Sequence, residues 1–218
     1  MTMPKAGTLE NAFAASELWF ESDSARLFAV EAGRGRPIVL LHGGLADHRA
    51  MSFRLGPLAA THRLLMPDLR GSGRSIHRGE LSWDMLADDV AALLGQLGLE
   101  RAVVGGISMG SGVALRFALR HPSLLQGLIL LSPVYPGQDR ALAEASSSAM
   151  RTLGEAGARV LEHGVEALRP LFEALSSPVR EVALDMMRGF DAGSVAAGGV
   201  NDSSATQRCR RHDHRVDE

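Results

Sequence analysis

Short apolar runs, several ending in a glycine-rich polar stretch, alternate with segments whose apolar residues recur every three or four positions. Ile38-Val39-Leu40-Leu41, Leu64-Leu65-Met66 and Leu128-Ile129-Leu130-Leu131 are apolar on consecutive positions, as strands buried on both faces are. Glu17 to Glu21 and Arg26 to Ala32 alternate instead, which predicts two more strands joined by Ser22-Asp23-Ser24. Trp83, Leu86, Val90, Leu93, Leu94 and Leu97 fall on one face of a helix. Ser82 is its expected N-cap, Asp84 suits the positive end of its dipole, and Gly98 ends it. Further helical segments are expected from Arg49 to Ala60 and up to Arg120, where His121-Pro122 stops the turn. Strand and helix therefore alternate, and the fold class expected is α/β. It is a doubly wound, mostly parallel sheet with right-handed crossovers and its site at the carboxyl ends of the strands.

The ends of the chain read differently. Residues 1–17 are expected as a loose leader and 18–136 as the α/β core. Residues 137–200 are rich in Ala, Leu, Glu, Arg and Met, which predicts helices at about 140–153, 158–175 and 179–190 and a cap over the site. In residues 201–218 only Ala205, Cys209 and Val216 are apolar, so a disordered tail is expected there.

Composition narrows the picture modestly. The 218 residues are 45% hydrophobic and 22% charged, ordinary for one soluble core and a small attachment. A net charge of −2 gives no reason to expect nucleic acid or an anionic membrane as partner. The single cysteine, Cys209, excludes an internal disulfide and fits a reducing compartment; no signal peptide is visible, so a cytoplasmic location is expected. No apolar run is long enough to span a bilayer.

The candidate chemistry lies in Gly105-Gly106-Ile107-Ser108-Met109-Gly110, which follows the apolar run Ala102-Val103-Val104 and precedes a helical run. Gly106, Ser108 and Gly110 spell G-x-S-x-G between a strand and a helix, the setting of a nucleophile elbow. The competing reading is a glycine-rich turn that only lets helix and sheet approach closely. His42-Gly43-Gly44 and Asp68-Leu69-Arg70-Gly71-Ser72-Gly73-Arg74-Ser75 end two other strands. His42, Asp68 and Arg70 are expected to brace loops, His48, His62, His77 and His163 to face solvent, and His121 to meet the last carbonyls of its helix.

These three motifs, in this order, make residues 18–135 resemble the α/β-hydrolase fold family. The resemblance implies Ser108 as nucleophile and the backbone N–H groups of Gly44 and Met109 as oxyanion hole. It also implies a small-molecule acyl substrate and neither cofactor nor metal. Its acid and histidine follow strands beyond the cap, and no buried strand is expected after Val200. Asp139 is a candidate acid at a variant position, and His212 and His214 are the only histidines late enough to serve as base. The chain is therefore expected to be cut short or altered at its C-terminus, with the strand ending near Ser132 left as an apolar edge open to homo-oligomerisation. Two functions stay open: a serine hydrolase of an ester, thioester or lactone, and a non-catalytic binding protein on the same scaffold.

Overall fold

The computed structural model describes residues 15–44, 46–77 and 81–133, and beyond them residues 155, 159–160, 162–173, 180–181 and 184. Up to residue 133, the described residues form six strands and three α-helices in the order β1 (Ala15–Ser22), β2 (Ala25–Ala32), β3 (Arg36–Leu41), α1 (His48–Leu55), β4 (His62–Pro67), α2 (Trp83–Gln96), β5 (Ala102–Ile107), α3 (Met109–Arg120) and β6 (Leu125–Leu131). The strands form one sheet in the order β1-β2-β4-β3-β5-β6. β3 lies parallel to both β4 and β5, and β5 parallel to β6, while β1 and β2 form an antiparallel margin. The expected doubly wound, mostly parallel sheet is present.

The consecutive apolar runs have a simple cause. Val39, Leu41 and Leu65 pack into one hydrophobic cluster with α2 and α3, and Ile38, Leu40, Leu64 and Met66 into a second that includes Met51 of α1. Side chains alternate across the sheet, and at β3 and β4 both faces are covered, so every position must be apolar. Each such fully buried side chain contributes about 1.5–3 kcal/mol. The run Leu128-Ile129-Leu130-Leu131 differs from the expected double burial: β6 lies at the end of the sheet beside β5 alone, and none of its residues is fully buried.

Local signals explain the boundaries. Ser82 accepts from the Met85 N–H as N-cap of α2, and Gly98 follows the helix at φ 63. The β1–β2 hairpin turns at Asp23 and Ser24, both at positive φ, a geometry whose twist matches that of the strands. β1 starts at Ala15, inside the segment expected as leader, because Ala15 to Leu18 pair with Ala32 to Ala29. The long helix expected after His48 is shorter: α1 ends at Leu55, and Gly56–Ala60 continues as a 3₁₀ turn with Pro57 at its start. The helix expected over 158–175 is interrupted at Gly164, φ 73, before a 3₁₀ segment, Val165–Phe172. Val160, Leu168 and Leu184 are fully buried. Residues 1–14, the greater part of the expected cap and all of the expected tail lie outside the described residues. Among the described residues, no helix is long and apolar enough to cross a membrane.

Candidate active site

The carboxyl ends of β3, β4 and β5 lie side by side, and the three motifs converge there. Ser108 sits between the end of β5 and the start of α3 at φ 52 and ψ −118. A chain that leaves a buried strand and enters a helix within one residue must turn sharply, and only the flanking glycines make room. A Cβ on Gly106 would lie 2.2 Å from the Gly110 carbonyl carbon, and one on Gly110 would lie 2.3 Å from the Leu41 oxygen. The turn is held from both sides. Ser108 N–H donates to the Leu131 oxygen of β6 at 2.9 Å, and the Ser108 oxygen accepts from the Ser111 N–H at 2.9 Å and the Ser111 hydroxyl at 2.6 Å. Ser108 is the N-cap of α3, yet its side chain makes no capping bond. It is half-buried.

The loop after β3 lies against this turn: a Cβ on Gly43 would come 3.5 Å from Ser108 Cβ. Gly44 follows in the same loop. Met109 opens α3, where the first N–H groups have no intrahelical acceptor and the helix dipole favours negative charge. Ser108 and Met109 adjoin in this turn, and Gly43, the neighbour of Gly44, lies against it, whereas Asp139, His212 and His214 lie outside the described residues.

The loops are welded by buried polar groups. His42 Nε2 accepts from the Leu69 N–H at 2.9 Å, and its Nδ1–H donates to the Gly43 oxygen at 2.7 Å. This pairing needs the neutral ring, and burial holds the His42 pKa below its usual value despite the nearby Asp68 charge. Asp68 accepts from the backbone N–H of His48 and of Arg74, each at 2.8 Å, and from His48 Nδ1 at 2.7 Å. Burial pushes the Asp68 carboxyl up, but the His48 hydrogen bond and charge outweigh it, so its pKa lies below the usual carboxylate value. Arg70 donates to both oxygens of Asp89 on α2, at 2.9 and 2.6 Å, and to the Ser22 carbonyl at the end of β1. Ser75 Oγ accepts from the Phe28 N–H of β2. His42, Asp68 and Arg70 brace loops, as expected.

Three histidines differ from expectation. His77, expected to face solvent, is half-buried, and its Nε2 is buried without a hydrogen-bond partner among the described residues. His48 is not solvent-facing: it is locked onto Asp68, 20 positions away, and stacks edge-on against Phe28. The backbone N–H of His121 donates to the Phe117 oxygen of its own helix, while its ring turns to Asp88 of α2, 2.7 Å away, a carboxylate being the stronger acceptor. His163 is exposed beside Glu162, as expected. Asp47, His48 and Asp68 bring potential metal-ligand atoms within 4.8 Å of one another, but Asp47 is held by Arg49 and Asp68 by His48 and two N–H groups. This cluster is therefore satisfied as a loop brace.

The same architecture occurs in known proteins. The family model described as alpha/beta hydrolase fold matches residues 36–169. The AB hydrolase superfamily protein YisY of Bacillus subtilis (strain 168) is 39% identical over 113 residues, 50% of this chain and 42% of that protein. A proline iminopeptidase of Xylella fastidiosa (strain Temecula1) is 36% identical over 114 residues, 50% of this chain and 36% of that protein. The chain thus spans less than half the length of these curated relatives. Among solved structures, a thermophilic esterase from Thermogutta terrifontis superposes with a TM-score of 0.66 at 26% identity, over 84% of this chain and 71% of that one.

Proposed function

The chain belongs to the α/β-hydrolase fold family, and on that premise we propose that Ser108 is the nucleophile of a hydrolase acting on an ester, thioester or lactone. The observation that carries this reading is the strained backbone of Ser108 at the apex of the β5–α3 turn, with its side chain released from capping duty. Strain of this kind collects at active sites, where the surrounding structure holds it in place.

In the proposed reaction, Ser108 Oγ bonds to the substrate carbonyl carbon while its proton passes to a base. The carbonyl oxygen gains negative charge, which the N–H groups of Met109 and Gly44 stabilise at the mouth of the α3 dipole. Collapse breaks the bond to the leaving alcohol or thiol, which takes up the proton. Water then releases the acid from the acyl-enzyme. The similarity to an esterase structure supports the ester as substrate class. No cofactor or metal enters this reading.

A second reading, a ligand- or partner-binding protein on the hydrolase scaffold, is favoured by the histidines. His42, His48, His62 and His121 are each hydrogen-bonded to groups other than Ser108. Asp139 as acid and His212 or His214 as base remain the candidates that would complete a triad. Without a base, about 10³–10⁴-fold acceleration over water would remain from the oxyanion hole and binding. Hydrolysis of a p-nitrophenyl ester separates the two readings. Turnover that Ser108→Ala abolishes supports the hydrolase; no turnover, with small-molecule binding that survives Ser108→Ala, supports the binding protein.

A further inference from the structure

We propose that Ser111 is a positioning residue that aims the Met109 N–H at the substrate oxygen, an inference that rests on Ser108 being the nucleophile. Ser111 is the third residue of α3 and is fully buried. Its hydroxyl donates to the Ser108 carbonyl at 2.6 Å, shorter than the bonds to the same oxygen from the Ser111 N–H, 2.9 Å, and the Gly112 N–H, 3.3 Å.

That carbonyl belongs to the Ser108–Met109 peptide, which is planar and trans. Its C=O and N–H therefore point in opposite directions. Fixing the oxygen inside the first turn of α3 fixes the line along which Met109 N–H points outward. Ser108 itself lies outside helical geometry, at φ 52 and ψ −118, so this peptide is tied to α3 from the helix side, through the oxygen that accepts from the Ser111 N–H, the Gly112 N–H and the Ser111 hydroxyl. The Ser111 hydroxyl makes the shortest of these three bonds and narrows the range over which the plane can tilt. It also withdraws electron density from the carbonyl, which makes the N–H at the other end a stronger donor, by roughly 10–30% per bond in a chain.

A purely structural role for this hydroxyl is weaker on the same facts. Alanine forms helix better than serine, and its side chain is contained within the volume serine already occupies. The hydroxyl adds one neutral hydrogen bond to an oxygen that two N–H groups already satisfy. Its effect is to orient the peptide plane.

The test compares wild type with Ser111→Ala and Ser111→Thr. The readouts are the rate of fluorophosphonate labelling at Ser108, kcat and KM on a p-nitrophenyl ester, and the residual dipolar coupling of the Met109 N–H. Ser111→Ala should slow labelling and lower kcat by about 5–20-fold, less than the 10²–10³-fold typical of losing a whole oxyanion donor. KM should stay unchanged, because the aim of the donor matters most where charge develops. The Met109 coupling should change more than those along the rest of α3, and Ser111→Thr, which keeps the hydroxyl, should restore both. Labelling at the wild-type rate in a folded Ser111→Ala protein, or an unchanged Met109 coupling, overturns the proposal. If wild type is not labelled at all, the nucleophile reading falls, and the Met109 coupling alone decides whether Ser111 orients the peptide.

Discussion

At Ser108 the backbone holds φ 52 and ψ −118, a region that a residue with a Cβ enters at a cost of about 1–3 kcal/mol. Glycine enters it freely. Ser108→Gly should therefore raise the unfolding free energy by about 1 kcal/mol, whereas Ser108→Ala, which keeps the Cβ, should leave it within about 0.5 kcal/mol. Urea unfolding at constant m-value measures both. His42 carries a different signature. Its folded-state pKa is depressed below 6.5, so the folded protein resists protonation that the unfolded chain accepts. Its contribution is complete above pH 6.5 and is lost as pH falls below that value. Unfolding free energy should decline on acidification from pH 7 to 5, and His42→Phe should flatten that slope while lowering stability at pH 7. An equal slope in both proteins would contradict a neutral, buried His42.

At the scale of elements, the site depends on how closely strand, loop and helix approach. A methyl group at Gly110 would strike the Leu41 and His42 oxygens, so Gly110→Ala must push α3 from the sheet and should cost more than a surface substitution by several kcal/mol. Arg70 and Asp89 bind the β4 loop to α2 and to the β1–β2 hairpin from a fully buried position. Removing one partner leaves an uncompensated charge, so Asp89→Ala should destabilise by about 3–5 kcal/mol in calorimetry or denaturant titration. These contacts show what the sequence could reveal. The buried strands, the Ser82 cap and the glycines around Ser108 carry local signals, since a cap, a doubly covered strand and a tight turn each restrict nearby residue types. The His48–Asp68 and Arg70–Asp89 pairs join positions 20 and 19 apart through tertiary packing. Nothing at His48 itself distinguishes a braced histidine from an exposed one; only the strand and loop that bring Asp68 to it do. The N-terminal reach of β1 is similar, because Ala15 and Ser16 are held by their partners in β2 and not by their own strand preference.

For the whole molecule, the sheet is asymmetric. Its β1 margin is an antiparallel hairpin, while β6, at the other end, is apolar and carries no charge. Leu128, Ile129 and Leu131 remain 37%, 41% and 42% exposed. Among the described residues, no strand pairs with β6 on the side away from β5, and an uncharged apolar edge is a template for another strand. We expect self-association through β6 that rises with protein concentration in sedimentation velocity and is suppressed by Ile129→Lys. A wild-type protein that stays monomeric at high concentration would contradict this. The same strand accepts the Ser108 N–H at the Leu131 oxygen, so the state of this edge bears directly on the turn that carries the site.

The measurement that bears most directly on Ser108 as an activated nucleophile is peptide mapping by mass spectrometry after incubation with a fluorophosphonate. The account predicts a single phosphonyl adduct on the peptide containing Ser108, lost on denaturation before labelling and absent in Ser108→Ala. An unmodified folded protein, or an adduct on another residue, would contradict it.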